Sequence, residues 1–284
     1  VSNANTLGAF LRSRRDATSP ADVGLPPGVR RRAPGLRRAE LAMLAGISVD
    51  YLVRLEQGRD QHPSSQVLGA LGDALQLSID ERVHLKRLAK VSSGECQFSE
   101  PETAEPNRKV RPTVRALLRQ FEPGIALVVN MVGEVLAFTS GYDRLARDTG
   151  ILDPDVPSLP RFVFTDTRAR EVYADWDAVA DHHVATLLSW PPDPHVRDLI
   201  DDLTSLAGAT FSEHLERHPV PRGTGVERWA HPTVGELRLS YESLELPVAD
   251  GQRLLVYLPA DEATAEAIGR LQRGRPGRLR AVSS

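Results

Sequence analysis

Apolar positions in the first ninety residues recur with helical spacing. In LGAFLRSRRDA (7 to 17), Leu7, Phe10 and Leu11 fall at i, i+3 and i+4, which predicts an amphipathic helix. SPADVGLPPGVRRRAPG (19 to 35) carries four prolines and three glycines and cannot continue it. LRRAELAMLA (36 to 45) predicts a second helix burying Leu41, Leu44 and Ala45, and Gly46 breaks it. Ser48 is then a natural N-cap for SVDYLVRLEQ (48 to 57), with Tyr51, Leu52 and Leu55 inward and Val49, Asp50, Val53, Arg54 and Gln57 outward, up to Gly58. SSQVLGALGDAL and SIDERVHLKRLAK add two more amphipathic helices behind serine caps. Five short helices, two of them joined by a tight turn with glycine, have the outline of an all-α helix-turn-helix domain.

The pattern changes after residue 110. RPTVRALLRQF (111 to 121) is helical, IALVVN and EVLAF are short strands about a turn near Gly133, and SGYDRLARDTG begins a helix. Helical periodicity returns in 168 to 190 and 194 to 217. GVERWAH, GELRLSYESLEL and QRLLVYLP then read as strands, with a hairpin-compatible ADG between the last two. Strands, then helices, then strands, without βαβ alternation, predict an α+β domain with an antiparallel sheet.

Charge divides at the same place. Residues 1 to 90 hold 14 Lys and Arg against 9 Asp and Glu, leaving 21 against 29 for the rest of the chain, so the two regions differ in sign. Five arginines fall within GVRRRAPGLRR (28 to 38). SSGECQFSEPETAEPNRK, without apolar periodicity, reads as a linker. The expected organisation is a helix-turn-helix domain at 6 to 90, a linker at 91 to 110, an α+β domain at 111 to 272 and a disordered basic tail at 273 to 284. With 41% hydrophobic positions the chain can bury real cores, yet its longest apolar runs fall far short of the roughly 20 residues that span a bilayer. No membrane association and a cytoplasmic location are expected, and the one cysteine, Cys96, fits a reducing compartment.

RRAELAMLAGISVDYLVRLEQG resembles the helix-turn-helix of the XRE class of regulators. The longer run through LEQGRDQHPSSQVLGALGDALQL, with ERWAHPTVGELRLSYESLELP in the second half, is similar to its MmyB-like branch. The resemblance implies a transcription regulator that binds double-stranded DNA, commonly as a homodimer on two half-sites. It implies base readout by Val49, Asp50 and Arg54: arginine suits guanine, aspartate accepts from cytosine N4, and valine can touch a thymine methyl. Arg30, Arg31, Arg32, Arg37, Arg38 and Ser48 are expected on phosphates, although Arg38 stands where the class often has glutamine. The resemblance also implies that Glu56 pairs with Arg15 of the first helix. For the second half it implies a PAS-like sensor, a small sheet with helices on one face around an apolar pocket, associated with fatty-acid-like effectors. Arg161 in LPRFVF, His231 and Tyr241 are the polar groups near apolar runs that could orient such a ligand, Arg161 gripping a carboxylate.

An enzyme is the alternative: a DNA-tethered hydrolase or metal-dependent enzyme using the histidine-rich second half, where six of the eight histidines lie between His182 and His231. HLERH places His214 and His218 at i, i+4, but Leu215 stands where a zincin needs glutamate and Pro219 ends the helix. No nucleophile elbow, Walker loop or dinucleotide fingerprint is present. No catalytic residue, metal ligand or cofactor is assigned, and the expectation is a protein that is not an enzyme. Trp176, Trp190 and Trp229 are expected in the core.

Overall fold

The computed structural model describes residues 6–26, 35–92, 105–190, 193–247, 251–274 and 280–281. Arg30, Arg31 and Arg32 lie outside the described residues. Two compact units divide the chain, residues 1–98 with 216–221 and residues 99–215 with 222–284.

In the first unit the helical spacing becomes α1 (Thr6–Ala17), α2 (Arg38–Leu44), α3 (Val49–Glu56), α4 (Ser65–Ala74) and α5 (Ile79–Ser92). Leu7, Phe10 and Leu11 of α1 meet Leu41 and Ala42 of α2, Leu52 and Leu55 of α3, Leu71 of α4, and Leu85 and Leu88 of α5 in one apolar core. Leu44, expected inside, is exposed, and Ala42 takes the inward position. Side chains close the helix starts: Ser48 Oγ accepts the Tyr51 N–H at 3.1 Å, and Ser64 Oγ accepts that of Val67 at 3.3 Å. The turn between α2 and α3 passes through Gly46 at φ +65°. A Cβ there would meet nothing, so the left-handed backbone alone calls for glycine.

Glu56, the last residue of α3, has no exposed surface. Arg15 Nε donates to its Oε1 at 2.7 Å and Arg38 Nε to its Oε2 at 2.6 Å, so α1 and α2 both anchor on one carboxylate of α3. Arg15 Nη1 also donates to the Leu36 carbonyl at 2.8 Å, and Arg12 Nη2 to the Glu56 carbonyl at 3.0 Å. The Arg15–Glu56 pair is the one the resemblance implies. The Arg38 bond corrects the reading of that arginine as a phosphate contact alone, because a desolvated carboxylate draws in every cation within reach.

The second unit is built on a six-stranded antiparallel sheet ordered β3-β4-β5-β1-β2-β6. Its strands are β1 (Ile125–Asn130), β2 (Val135–Phe138), β3 (Thr224–His231), β4 (Gly235–Glu245), β5 (Gln252–Pro259) and β6 (Arg280–Ala281). Every residue of β1 is buried, as a central strand covered on both faces requires. Ile125, Leu127 and Val129 enter the larger core, while Ala126 and Val128 meet Val114 and Leu118 of α6 (Pro112–Gln120) on the other side.

The larger core is roofed by α7 (Ser140–Ala146), α8 (Leu159–Thr165), α9 (Ala169–Val172), α10 (Trp176–Leu188), α11 (Pro194–Ala207), α12 (Ala209–Glu216) and α13 (Glu262–Gly274). Three details add to or depart from the sequence reading. LPRFVF is a helix, with proline in its first turn where the missing N–H costs nothing. The 194 to 217 stretch is two helices, parted at Gly208, φ +57°. Arg280–Ala281, placed by sequence in a disordered tail, pairs with Ala137 and Phe138 and caps the open edge of β2.

Removing the Glu56 side chain leaves the two guanidinium groups of Arg15 and Arg38 facing an empty site. Glu56→Ala is expected to destabilise the first unit by about 3 to 5 kcal/mol. Urea unfolding followed by far-ultraviolet circular dichroism checks it, and an unmoved first transition contradicts it.

Candidate functional site

The outward face of α3 is free of core duty. Val49, Asp50 and Arg54 are exposed, and the Arg54 guanidinium lies 5.5 Å from the centre of the Tyr51 ring, which holds its stem along the helix. Ser48 is exposed; its Oγ accepts the cap bond, which leaves the hydroxyl proton able to donate to a phosphate. Arg37 is exposed at the start of α2, where its backbone N–H bonds Glu40 Oε2 at 2.7 Å. The side chain of Arg38 is 46% exposed although its Nε is committed to Glu56, so it carries a structural duty beside any contact its outer edge makes.

The three residues expected to orient an effector fare differently. Arg161 is a surface residue of α8, its side chain 43% exposed and its Nη2 2.7 Å from Asp202 Oδ2 on α11. It answers a carboxylate of the protein itself, which corrects its reading as the cation of an apolar pocket. His231 is buried with both ring nitrogens occupied: Nε2 donates to the Leu145 carbonyl at 3.1 Å and Nδ1 accepts the Thr233 N–H at 3.1 Å. Burial holds its proton affinity below the usual histidine range. That pairing assigns it to joining β3 to α7 and corrects its reading as a ligand donor. Tyr241 is buried, with its ring against His182 at 5.3 Å and Tyr257 at 6.3 Å.

Sequence reading missed the carboxyl at the centre of this core. Residues 227, 229 and 231 share the buried face of β3. Glu227 is therefore carried inward with Trp229, whose Nε1 donates to Glu227 Oε2 at 2.9 Å, while Tyr257 also hydrogen-bonds the carboxyl. Burial pushes the Glu227 carboxyl up to about 7 against the pull of those two donors. The hydroxyls of Tyr142, Tyr173 and Tyr257 are raised by burial and then by the Glu227 charge. The signal was available in the two-residue alternation of GVERWAH.

The histidines do not assemble a metal centre. α12 ends at Glu216, so His218 lies beyond the helix that carries His214. His214 is buried against Phe164 and Trp176, with Nδ1 2.6 Å from Asp181 Oδ1. Among the described residues no group of three His, Cys, Asp or Glu could hold a metal ion. None of the described helices is long and apolar enough to cross a membrane.

Comparison with known families agrees with this division. The family described as helix-turn-helix domain matches residues 6–85. The family described as MmyB-like transcription regulator ligand binding domain matches residues 110–271, more than half of the chain. The chain belongs to the MmyB-like transcription regulators. None of the curated proteins compared with it matches. The matches make this MmyB-like regulator a ligand-sensing, DNA-binding protein with an N-terminal helical reader and a C-terminal α+β sensor.

Glu227 gives the MmyB-like sensor a pH signature. The unfolded chain ionises this carboxyl near 4.5, whereas the folded chain keeps its proton until about 7. The stabilising contribution is thus full below 4.5 and is lost as pH rises through 7. Glu227→Gln removes the dependence. Relative to wild type it is expected to gain on the order of 3 kcal/mol between pH 5 and pH 8, from 1.36 kcal/mol per pH unit. Urea unfolding at the two pH values, followed by tryptophan fluorescence, measures the difference; an equal offset at both would contradict the assignment.

Proposed function

We propose that this regulator binds a specific operator through α3 as a homodimer in the cytoplasm, and that an apolar, fatty-acid-like effector held in the C-terminal domain changes that binding. The observation carrying the reading is the exposed Val49, Asp50 and Arg54 face on a helix whose angle is fixed by Ser48 at one end and Glu56 at the other. Rigid presentation matters because a base contact is won only when the side chain arrives within hydrogen-bonding distance of a groove edge. Two half-sites one helical turn apart are the usual geometry for such a reader, and this supports the dimer. The apolar character of the larger core, which runs from Ile125 to Ile268, supports an apolar effector.

Within this reading Arg37, Ser48 and the outer edge of Arg38 meet phosphates, together with Arg30, Arg31 and Arg32 of the basic block. Val49, Asp50 and Arg54 meet bases. Both matched families are regulatory rather than catalytic, and this supports a reading without catalysis.

Fluorescence anisotropy on a duplex selected from a random pool tests the division of labour. Arg54→Ala is expected to cost about 1 to 3 kcal/mol on the selected duplex and little on a scrambled one. Arg37→Ala should weaken both equally and lower the salt slope by about one unit. Arg38→Ala should do the same while also lowering the unfolding midpoint, through Glu56. A specific-to-scrambled ratio unchanged by Arg54→Ala would remove that residue from the readers.

A further inference from the structure

Along one side of α10 and the residues that follow it, three buried side-chain atoms have no hydrogen-bond partner: His182 Nδ1, Thr186 Oγ1 and Trp190 Nε1. His182 and Thr186, four residues apart, share one face of α10, and Trp190 follows two residues past the end of the helix; at the helical rise of 1.5 Å per residue the run is about 12 Å long. Strands β4 and β5 run beside that face. His182 packs on Tyr241 of β4 at 5.3 Å, and Trp190 lies against the Arg253 guanidinium of β5 at 4.7 Å. Arg253 is directly opposite Glu245, four residues along β4 from Tyr241, so this side of the seam is about 13 Å long at 3.3 Å per residue. Helix and strands thus enclose one seam with matched ends, Tyr241 and His182 at one and Arg253 and Trp190 at the other.

The chemistry of the two ends differs. At the Arg253 end the guanidinium is buried, donates through Nη2 to Ser189 Oγ at 2.9 Å and stacks on a ring whose N–H can only donate. Whatever group is received there must accept hydrogen bonds, and a desolvated guanidinium favours an anion. Glu245 already stands 3.9 Å from Arg253, which favours a monoanion over a dianion. At the other end His182 is held neutral down to about pH 4, first by burial and then by Arg253 and Arg222, so its Nδ1 can serve a hydroxyl as donor or acceptor. Thr186 adds a hydroxyl midway.

A buried polar atom without a partner costs stability, and two on one helix face with a third just past its end are not scattered defects. We propose that the seam between α10 and the β4–β5 hairpin is the polar subsite of the effector. It takes a monocarboxylate that carries a second, hydroxyl-type oxygen about 12 Å from the carboxylate, the acid at Arg253 and Trp190, the far oxygen at His182 and Tyr241. A plain alkyl chain would leave Thr186 and His182 unanswered; an oxygenated one would not. This assignment rests on the ligand-sensing reading of the second unit, and it moves the carboxylate from Arg161 to Arg253.

Calorimetry on the full chain with 10-hydroxydecanoate and decanoate tests it, with DNA binding by the same preparations followed in parallel. The hydroxy acid is expected to bind wild type about ten-fold more tightly than decanoate, the effect of one recovered hydrogen bond. Thr186→Val, close in shape to the original, is expected to keep or raise the melting temperature of the ligand-free protein. Trp190→Phe should weaken both acids about ten-fold, and His182→Phe should abolish the preference for the hydroxy acid. Should Arg253→Gln fold, it should lose both acids; should it not, the threonine and tryptophan variants decide. Failure of wild type to bind 10-hydroxydecanoate, or affinities unchanged in Trp190→Phe and His182→Phe, would overturn the assignment. Failure of any duplex to bind would strike the regulator reading instead.

Discussion

Glu56 sits at the end of α3 with no surface in water, and a carboxylate so placed costs several kcal/mol unless cations meet both of its oxygens. Arg15 and Arg38 supply them from two different helices, and this ties the angle of α3 to the positions of α1 and α2. The exposed reading face is defined by that restraint, because the apolar core alone would tolerate small rotations of a two-turn helix. Apolar contacts are non-directional, whereas bonds of 2.7 and 2.6 Å to two named oxygens are not. Stability here is spent on orientation, and orientation is what the groove-reading role proposed for α3 requires.

The second unit meets the same difficulty by the opposite route. Glu227 is buried among Trp229, Tyr142, Tyr173 and Tyr257, where no guanidinium forms an ion pair with it among the described residues, and it keeps its proton instead. A neutral carboxyl ringed by hydroxyls and an indole N–H fits an apolar core in a way that a charged one would not. His182 and His183 are handled likewise, held neutral by burial at about 4 and about 3. One unit pairs its buried charge while the other discharges it, and the difference follows from whether an arginine lies within reach.

Legibility from sequence tracks the length scale of the interaction. The five N-terminal helices, their serine caps and Gly46 were readable because each is decided within a few residues. The exposed face of α3 followed from the same periodicity. Of the residues chosen to orient an effector by the rule of polar groups next to apolar runs, only Tyr241 lies on the proposed seam. Arg161 satisfied that rule and yet faces Asp202, forty-one positions away, a partner that only the packing of α8 on α11 brings near. Glu227 and Arg253 were not selected, although strand parity carries both inward: 227 goes with 229 and 231, and 253 with 255 and 257. Parity was the stronger guide. A polar residue on the buried side of an amphipathic strand has to be answered by the fold or by a ligand, whereas one that merely adjoins an apolar stretch does not.

That distinction also separates the two kinds of buried polar group in the sensor. His231, Ser189 and Trp229 have partners within the protein, and their bonds hold elements together. His182 Nδ1, Thr186 Oγ1 and Trp190 Nε1 have none, yet they follow one another along α10 and just past its end, beside two strands that bring Tyr241 and Arg253 against them. Replacing them by apolar groups of the same shape would relieve the fold of an unsatisfied cost, so their presence cannot be accounted for by stability of the empty protein. A cost borne in the empty state and removed in an occupied one is the thermodynamic condition for a ligand to shift a conformational balance, since a ligand moves an equilibrium only by as much as its affinity differs between the two states.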